Sequence, residues 1–166
     1  IELGEQVLRQ SCQDMRVFMQ YPGAPKTIAI NLSARQFMQS GLALQIESIL
    51  RQESLPPRHV EFEITEGMVM SDPERAIIMM ENLSDMGVKL ALDDFGTGYS
   101  SLAYLKRFPM DSLKIDKALI DDITSSSKVR SMVAAILVMA HNLGLKVIAE
   151  GVESEAQLEQ LKILEC

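Results

Sequence analysis

Strand-like and helix-like patterns alternate along the whole chain, and this alternation constrains the fold more than any other feature. Five short apolar runs with strand character are separated by segments in which apolar residues recur at helical spacing. Strands that alternate with helices are joined by crossovers, which make the strands parallel neighbours in one sheet. The sequence therefore predicts an α/β fold with about five parallel strands.

Turn and capping residues set the expected boundaries of these elements. The expected strands are 27–32, 59–65, 88–93, 111–115 and 145–149. The expected helices are 1–20, 33–52 with Ser33 as cap, 72–87 opened by Asp72 and Pro73 and ended by Gly87, 100–106, 117–123, 128–142 after a loop at 125–127, and 154–164 opened by a capping box of Ser154 and Gln157.

Polar residues at the strand ends help to distinguish an open doubly wound sheet from part of a barrel. The residues that follow or end the five strands are Asn31, Glu63, Asp93, Lys114 with Asp116, and Glu150. A doubly wound sheet gathers its site where the strand order reverses, whereas a (β/α)8 barrel collects side chains from the ends of many strands. Solvation of a strand end could explain any one of these residues, but five at the same end favour a shared rim.

Side-chain alternation in the first three strands agrees with the barrel. Asn31 shares a strand face with Ala29, Glu63 with Glu61, and Asp93 with Ala91, while the alternate residues are apolar. A closed barrel of this type takes about 250 residues, and the chain has 166. We therefore expect a (β/α)8 TIM-barrel-like fold that is incomplete, with residues 1–166 forming a single domain that is partial at both ends.

Composition excludes several classes of function. The net charge is -7 and the basic residues are scattered, which argues against binding a nucleic-acid polymer but is compatible with a small phosphorylated ligand. Cys12 and Cys166 show no CxxC spacing, which indicates a reduced protein, and we expect a cytoplasmic location. The longest apolar run, Met132 to Ala140, is too short to cross a membrane, for which about 20 residues are needed.

The stretch from Asp93 to Ser101 carries the strongest chemical signal. Two adjacent carboxylates at the end of an apolar strand repel each other and are costly to desolvate, so they require a cation, a proton or strong donors. A plain turn in which Asp caps the next helix is the alternative explanation of the same residues. Acids and an amide form an oxygen-rich site suited to Mg²⁺ or Mn²⁺ rather than to zinc.

Lys114 and Glu150 supply the other functional groups of such a site. Lys114 could orient an attacking water or neutralise charge on a phosphoryl oxygen, although a strand-end lysine can also reach solvent. Glu150 could hold a second ion or accept a proton from the water, and Gly151 would let the backbone turn close to a ligand. His59 and His141 lie away from the strand ends and are expected to be structural or solvated.

Five blocks of this sequence together resemble the EAL domain family. They are Asn31 in Asn-Leu-Ser, Glu63 to Glu66, Asp93 to Leu102, Leu113 to Asp116, and Ala149 to Glu153, in the order and with spacings similar to those of the family. The resemblance implies a bacterial phosphodiesterase that hydrolyses cyclic-di-GMP to linear pGpG with two Mg²⁺ or Mn²⁺ ions. It implies one ion at Asn31, Glu63 and Asp93, the other at Asp93, Asp94 and Glu150, and a water positioned by Lys114.

The resemblance also implies a substrate-binding region beyond the metals. A mobile loop would be braced by Glu66, and Asp116 and Glu153 match further polar positions. The loop residues are Phe95, Gly96, Thr97, Gly98, Tyr99, Ser100 and Ser101. Implied partners are cyclic-di-GMP, a second copy in a homodimer, and fused sensory or GGDEF-type domains. The apolar segment Val129 to Ala140 could belong to the dimer interface or be buried within the chain.

Two features of the family are absent from the sequence. The Glu-Ala-Leu motif, whose glutamate is a metal ligand, would precede residue 1, and the closing part of the barrel would follow Cys166. We therefore expect the 166-residue chain itself to be weakly active or inactive; robust Mg²⁺-dependent pGpG production by residues 1–166 would refute this.

Two other functions stay open at this point. One is a catalytically degenerate EAL-like domain that acts as a cyclic-di-GMP receptor or a protein-interaction module, and the other is a metal enzyme acting on another phosphate or sugar acid.

Overall fold

The computed structural model describes residues 2–96, 98 and 102–166, and within them five strands form one parallel sheet. The strands are β1 (Ile28–Asn31), β2 (Val60–Thr65), β3 (Lys89–Phe95), β4 (Ser112–Ile115) and β5 (Lys146–Ala149). The α-helices are α1 (Glu2–Phe18), α2 (Ala34–Phe37), α3 (Leu42–Gln52), α4 (Glu66–Ser71), α5 (Pro73–Met86), α6 (Leu102–Leu105), α7 (Lys117–Asp121), α8 (Ser127–Asn142) and α9 (Glu155–Ile163). A 3₁₀ turn, Pro57–His59, precedes β2.

Neighbouring strands in the sheet are also consecutive in the sequence, in the order β1-β2-β3-β4-β5, and every pair is parallel. A doubly wound sheet would reverse this order at one point, and no reversal occurs among the described strands. The sequential order is that of a (β/α) barrel. The predicted α/β fold with five parallel strands is confirmed.

The two faces of the sheet differ in chemistry. One face is apolar and largely covered, and its buried residues are Ile30, Phe62, Ile64, Leu90, Leu92, Leu113 and Ile115. This face packs on the helices with apolar residues of α1, α3, α5 and α8, among them Met15, Ile46, Met80 and Val133. The other face carries the polar residues Asn31, Glu61, Glu63, Asp93, Ser112 and Lys114. Burial of one face against helices therefore fixes which side chains point to the opposite side.

One expected helix is divided in two, and one helix is present that was not expected. The helix expected from Ser33 to residue 52 is split into α2 and α3, because Gly41 has a φ of +86°, which no helical residue adopts. Ser33 does cap α2, through a capping box with Gln36. The short helix α4, directly after β2, is not predicted from the sequence at all. The capping box of Ser154 and Gln157 at α9 is present as expected.

Strand β3 is longer than predicted and contains a β-bulge. Leu92 pairs with Leu113 and Phe95 with Ile115, so β3 has three steps where β4 has two. The extra residue lies between Leu92 and Phe95, and Asp94 there has a φ of +56°. The expected strand end at Asp93 is therefore wrong, because the bulge carries the strand on to Phe95.

Two further findings concern membrane-spanning helices and the two cysteines. No helix in the described ranges is both long enough and apolar enough to span a bilayer. Cys12 is completely buried between α1 and the core, and Cys166 is exposed.

Candidate active site

Lys114 lies at the centre of a cluster of acids on the polar face of the sheet. Its Nζ atom is 2.8 Å from Glu63 Oε1, 3.1 Å from Asp93 Oδ1 and 2.6 Å from Glu150 Oε1. These residues come from β4, β2, β3 and the end of β5, so four consecutive strands contribute to one site. The structure thus brings four of the predicted strand-end residues into direct contact.

Burial and hydrogen bonding act in opposite directions on Lys114. Its side chain is only 10% exposed, and burial lowers the pKa of the ammonium, but hydrogen bonds to Glu150, Glu63 and Asp93 outweigh this and raise its pKa overall. Lys114 is therefore a permanent cation at neutral pH. It cannot act as a proton acceptor there, but it can attract an anionic ligand or hold a water.

Asp93, Asp94 and Glu150 form the second part of the site. One carboxylate oxygen of each lies within 4.8 Å of those of the other two, which is close enough for one ion to bind all three. Simple alternation along a strand would send Asp93 and Asp94 to opposite faces. The bulge in β3 removes this constraint, because it inserts an extra residue between two outward-facing positions, Leu92 and Phe95.

Negative charge is concentrated at Asp94. Burial raises its pKa, and the charges of Asp93, Asp116 and Glu150 raise it further, together with a hydrogen bond between Asp94 and Asp116. Near Lys114 and Asp94, one ammonium faces the four carboxylates of Glu63, Asp93, Asp94 and Glu150. The site therefore has the donor atoms and the excess negative charge that a divalent cation would neutralise.

Asn31 and Glu61 extend the polar face toward β1 and the opposite end of the strands. Asn31 pairs in register with Glu63, so the two residues lie side by side on the same face. Glu61 lies one layer below Glu63 and opposite Lys89, and its pKa is raised, chiefly by burial. The sequence-predicted Asn31 thus lies next to the acid cluster, beside Glu63 on the same face of the sheet.

Glu66 binds the start of the glycine-rich loop. It is 2% exposed at the first position of α4, and its Oε2 accepts a hydrogen bond from the backbone N–H of Gly96 at 3.0 Å. A Cβ atom at Gly98 would lie 2.8 Å from Glu66 Oε1, so only glycine leaves room for this approach. The predicted contact between Glu66 and the loop is present in the described part of it. Thr97, Tyr99, Ser100 and Ser101 lie outside the described residues.

Phe95 does not belong to the loop, contrary to expectation. It is the last residue of β3, it is 5% exposed, and it pairs with Ile115 on the apolar face. Its aromatic ring is therefore part of the core. The bulge at Asp94 explains the error, since it turns the next residue back toward the helices.

Asp116 and Glu153 lie near the rim in different roles. Asp116 follows β4, accepts a hydrogen bond from the backbone N–H of Ala118 at 2.7 Å as the cap of α7, and also bonds to Asp94. Glu153 is exposed and forms an ion pair with Lys117. Asp116 thus extends the acid cluster, whereas Glu153 contacts Lys117 at the start of α7.

Sequence reasoning missed Lys117, which contacts two residues of the segment after Glu150. Its side chain passes over Gly151 and reaches Glu153. A glycine directly after the strand-end acid Glu150 was the available signal in the sequence. The histidines are outside the site as expected: His59 Nδ1 is 2.8 Å from the Lys26 carbonyl oxygen.

The protein has the strand order of a (β/α) barrel, with acids and a lysine gathered at the carboxyl ends of the strands. Its class is therefore that of (β/α)-barrel proteins with a candidate metal site at this rim. Comparison with known proteins then gives its family. The EAL domain family model matches residues 1–166. The chain belongs to the EAL domain family.

Relatives and solved structures agree with this assignment. The chain is 44% identical over 166 residues to the bifunctional diguanylate cyclase/cyclic di-GMP phosphodiesterase MucR of Pseudomonas aeruginosa, covering 100% of this chain and 24% of MucR. It is 39% identical to the cyclic di-GMP phosphodiesterase NbdA of the same species, covering 99% of this chain and 21% of NbdA. The chain therefore spans less than a quarter of the length of these relatives.

Two solved structures are similar over nearly the whole chain. The MucR phosphodiesterase in complex with c-di-GMP superposes with a TM-score of 0.95 at 44% identity, covering 99% of this chain and 67% of that one. The EAL domain of Mycobacterium smegmatis DcpA gives a TM-score of 0.90 at 36% identity, covering 99% and 74%. The sheet order and the helices described above are thus those of solved EAL domains.

Proposed function

We propose that the EAL domain to which this chain belongs hydrolyses cyclic-di-GMP to linear pGpG. The observation that carries the proposal is the contact of Lys114 with Glu63, Asp93 and Glu150, beside the carboxylate of Asp94. Relatives named as cyclic di-GMP phosphodiesterases, 44% and 39% identical, support the substrate and the reaction. A second-messenger dinucleotide also fits the chain's net charge of -7, provided that bound cations supply positive charge.

Two Mg²⁺ or Mn²⁺ ions fit the residues of the site. Asn31, Glu63 and Asp93 would hold one ion, and Asp93, Asp94 and Glu150 would hold the other. All donors are oxygens, the ligands that these hard cations prefer. Burial raises the pKa of Asp94 most, and the nearby carboxylates of Asp93, Asp116 and Glu150 raise it further, which supports a need for positive charge there. Such ions, when bound, lower the pKa of a water ligand and neutralise charge on the phosphoryl oxygens.

Lys114 and Glu150 would act directly on the reacting atoms. Lys114 stays protonated, so its ammonium would hold the attacking water or stabilise the negative charge that develops on the phosphoryl group. Glu150 is the most exposed of the three acids that contact Lys114, with 35% of its side chain accessible. It is therefore the acid best placed to accept a proton from a water that enters from solvent.

Residues around the metal ligands would bind the dinucleotide. The loop residues Gly96 to Ser101 would contact the substrate, with Glu66 holding the loop through the Gly96 N–H. Asp116 and Glu153 would line the same rim, since Asp116 bonds to Asp94 and Glu153 lies on the loop after Glu150. Phe95 would contribute only as part of the core beneath the loop.

The proposal extends to the setting of the domain. Residues 1–166 would form most of a single cytoplasmic EAL domain, fused in the whole protein to sensory or GGDEF-type domains, as the bifunctional name of MucR supports. The domain would form homodimers through the helices after the glycine-rich loop. Leu102 and Val138 on α6 and α8 support this, since their side chains are 65% and 63% exposed.

Turnover of cyclic-di-GMP by a purified protein carrying the complete domain tests the proposal. With Mg²⁺, we expect linear pGpG as the product, separated by chromatography. Glu63→Gln and Lys114→Ala should each lower kcat by roughly 100-fold or more, because they remove a metal ligand and the central cation. Lys162→Met is the matched control, since Lys162 forms only a surface pair with Glu159, and it should leave kcat unchanged.

Two results would contradict the proposal. Binding of cyclic-di-GMP without any hydrolysis in Mg²⁺ or Mn²⁺ would favour a receptor. Hydrolysis that survives Lys114→Ala would mean that the acid cluster is not the catalytic centre.

A further inference from the structure

The segment that follows β5 carries Glu150, and packing alone does not fix the position of this side chain. The Glu150 side chain is 35% exposed, whereas those of Glu63 and Asp93 are 10% and 11% exposed. Glu63 and Asp93 lie within strands β2 and β3, whereas Glu150 lies one residue beyond the end of β5. Besides the ion pair with Lys114, the position of the Glu150 side chain therefore depends on how the backbone after β5 is held.

The backbone at Glu150 is held from two sides. Its N–H donates to the carbonyl oxygen of Ile115 at 3.1 Å, which continues the pairing of β5 with β4. The next residue, Gly151, has a φ of +68°, so the chain turns sharply there. The contacts of Gly151 thus help to set the position of the neighbouring Glu150 carboxylate.

Lys117 covers this turn. A Cβ atom placed at Gly151 would lie within 2.4–2.8 Å of the Cγ, Cδ and Cβ atoms of Lys117, so the aliphatic part of Lys117 passes directly over the glycine. The ammonium group then reaches Glu153 at 2.5 Å and Asp121 at 3.3 Å. One side chain therefore packs on the residue after Glu150 and binds the residue three positions beyond it.

Gln157 of α9 makes a second, independent connection to the same segment. Gln157 is 8% exposed, its Nε2 donates to the carbonyl oxygen of Ile120 at 3.3 Å, and its Oε1 accepts from the backbone N–H groups of Glu153 and Ser154. Helix α7 is thus joined to the loop after β5 at both of its ends. Lys117 makes the connection nearer to Glu150.

We infer that Lys117 is a positioning residue for Glu150, acting through Gly151 and Glu153. This inference rests on the proposed function, in which Glu150 holds a divalent ion and receives a proton. Lys117 contacts neither the acid cluster nor Lys114 in the described structure, so its effect on the site is indirect. Lys114, by contrast, contacts the acids directly, although the two lysines are only three residues apart in the sequence.

Three variants of the complete protein separate the two parts of the Lys117 side chain. Lys117→Met keeps the aliphatic stem over Gly151 and removes the ion pair with Glu153. Lys117→Ala removes both, and Lys117→Arg keeps both. Residues that orient metal ligands typically change metal affinity or activity by about 10–100-fold. We expect Mn²⁺ affinity, measured by calorimetry, to fall about 10-fold or more in Lys117→Ala, less in Lys117→Met, and to be restored in Lys117→Arg.

The kinetic signature should distinguish positioning from a general loss of folding. In Lys117→Ala, kcat for cyclic-di-GMP should fall by a larger factor than KM rises, because Glu150 would act on the water and the metal, whereas Glu153 alone of this segment would line the substrate rim. Lys117→Met and Glu153→Gln should be non-additive, since they remove the same ion pair. Lys162→Met removes a similar surface pair on the neighbouring helix α9 and should change none of these quantities.

Two results would overturn the inference. One is Mn²⁺ affinity and kcat in Lys117→Ala that match those of the unaltered protein. The other is a loss that Lys117→Arg does not restore or that Lys162→Met reproduces. If the unaltered protein does not hydrolyse cyclic-di-GMP, the proposed function fails, yet the Mn²⁺ titrations still test Lys117, because they do not depend on turnover.

Discussion

Asp93 and Asp94 are adjacent in β3, yet their carboxylates come within 4.8 Å of the same partner, Glu150. The β-bulge and the positive φ of Asp94 make this possible, and the Asp94 N–H donates to Asp93 Oδ1 at 3.1 Å. A regular strand would place one of the two carboxylates among the helices. The bulge therefore brings a pair of neighbouring acids into one cluster, at the cost of charge repulsion between them.

Asp94→Asn should stabilise the protein when metal is removed by a chelator. Burial and the charges of Asp93, Asp116 and Glu150 raise the pKa of Asp94 in the folded state. An acid with a raised folded pKa contributes no penalty at low pH, where it is protonated in both states, and destabilises the fold as the pH rises above its unfolded pKa of about 3.9. We expect a gain of about 1 kcal/mol at pH 7, the ordinary size of a single-site effect, by urea unfolding.

Asp94→Asn should have the opposite effect when Mg²⁺ is present. Asparagine tolerates a positive φ, so the bulge should persist, but one charged ligand is lost. The rise in Tm that Mg²⁺ produces in the unaltered protein should shrink in the variant. Asp85→Asn, on the exposed side of α5, is the control. A gain from Asp94→Asn that is equal at pH 4 and pH 8 would contradict the electrostatic explanation.

The main features of the fold could be predicted because strand and helix periodicities are long and distinct. Strand-end polarity likewise predicted the meeting of Glu63, Asp93, Lys114 and Glu150, since parallel strands bring their carboxyl ends to one edge. The bulge could not be predicted, because it depends on how β3 pairs with β4 and leaves no local pattern. Phe95 was placed wrongly for the same reason.

Other features depend on backbone geometry that short sequence windows do not reveal. Gly41 splits a helix that periodicity alone continues from Ser33, because its left-handed conformation ends one helix direction and starts another. Helix α4 is too short to show a period of 3.6 residues. The contact of Lys117 with Gly151 joins residues 34 positions apart, so only the tertiary structure brings it to light.

Lys114→Met should destabilise the metal-free protein strongly. The ammonium compensates Glu63, Asp93 and Glu150, and its side chain is 10% exposed. Removing one partner of a buried ion pair typically costs about 3–5 kcal/mol, because the remaining charges stay buried without compensation. We expect a loss in this range in urea with a chelator, and partial recovery with Mg²⁺. A loss that is the same with and without Mg²⁺ would contradict the role of Lys114 as a counter-charge.

The two cysteines should react with thiol reagents at very different rates. Cys12 is 0% exposed, and burial raises the pKa of its thiol to about 11, so almost no thiolate is present at pH 8. Cys166 is exposed. Ellman's reagent should therefore modify one thiol rapidly in the native protein and the second only in denaturant. Rapid modification of Cys12 under native conditions would mean that α1 detaches from the core.

Gly96→Ala should destabilise the protein more than Gly87→Ala, although both glycines have a positive φ. Gly87, with φ +91°, ends α5, and a Cβ there would meet only Pro57 Cβ at 3.9 Å, so the cost should be the backbone strain of about 1–2 kcal/mol. Gly96, with φ +102°, donates its N–H to Glu66, and a Cβ there would lie 2.5 Å from Leu119 Cδ1. Overpacking adds roughly 1–3 kcal/mol. Urea unfolding of the two variants gives the difference directly.

Gly96→Ala should also weaken binding of cyclic-di-GMP, because its extra methyl group lies at the start of the glycine-rich loop. Gly87→Ala should bind the dinucleotide normally. Equal stability losses in the two variants would mean that Leu119 moves aside and that the loop is not held by this contact.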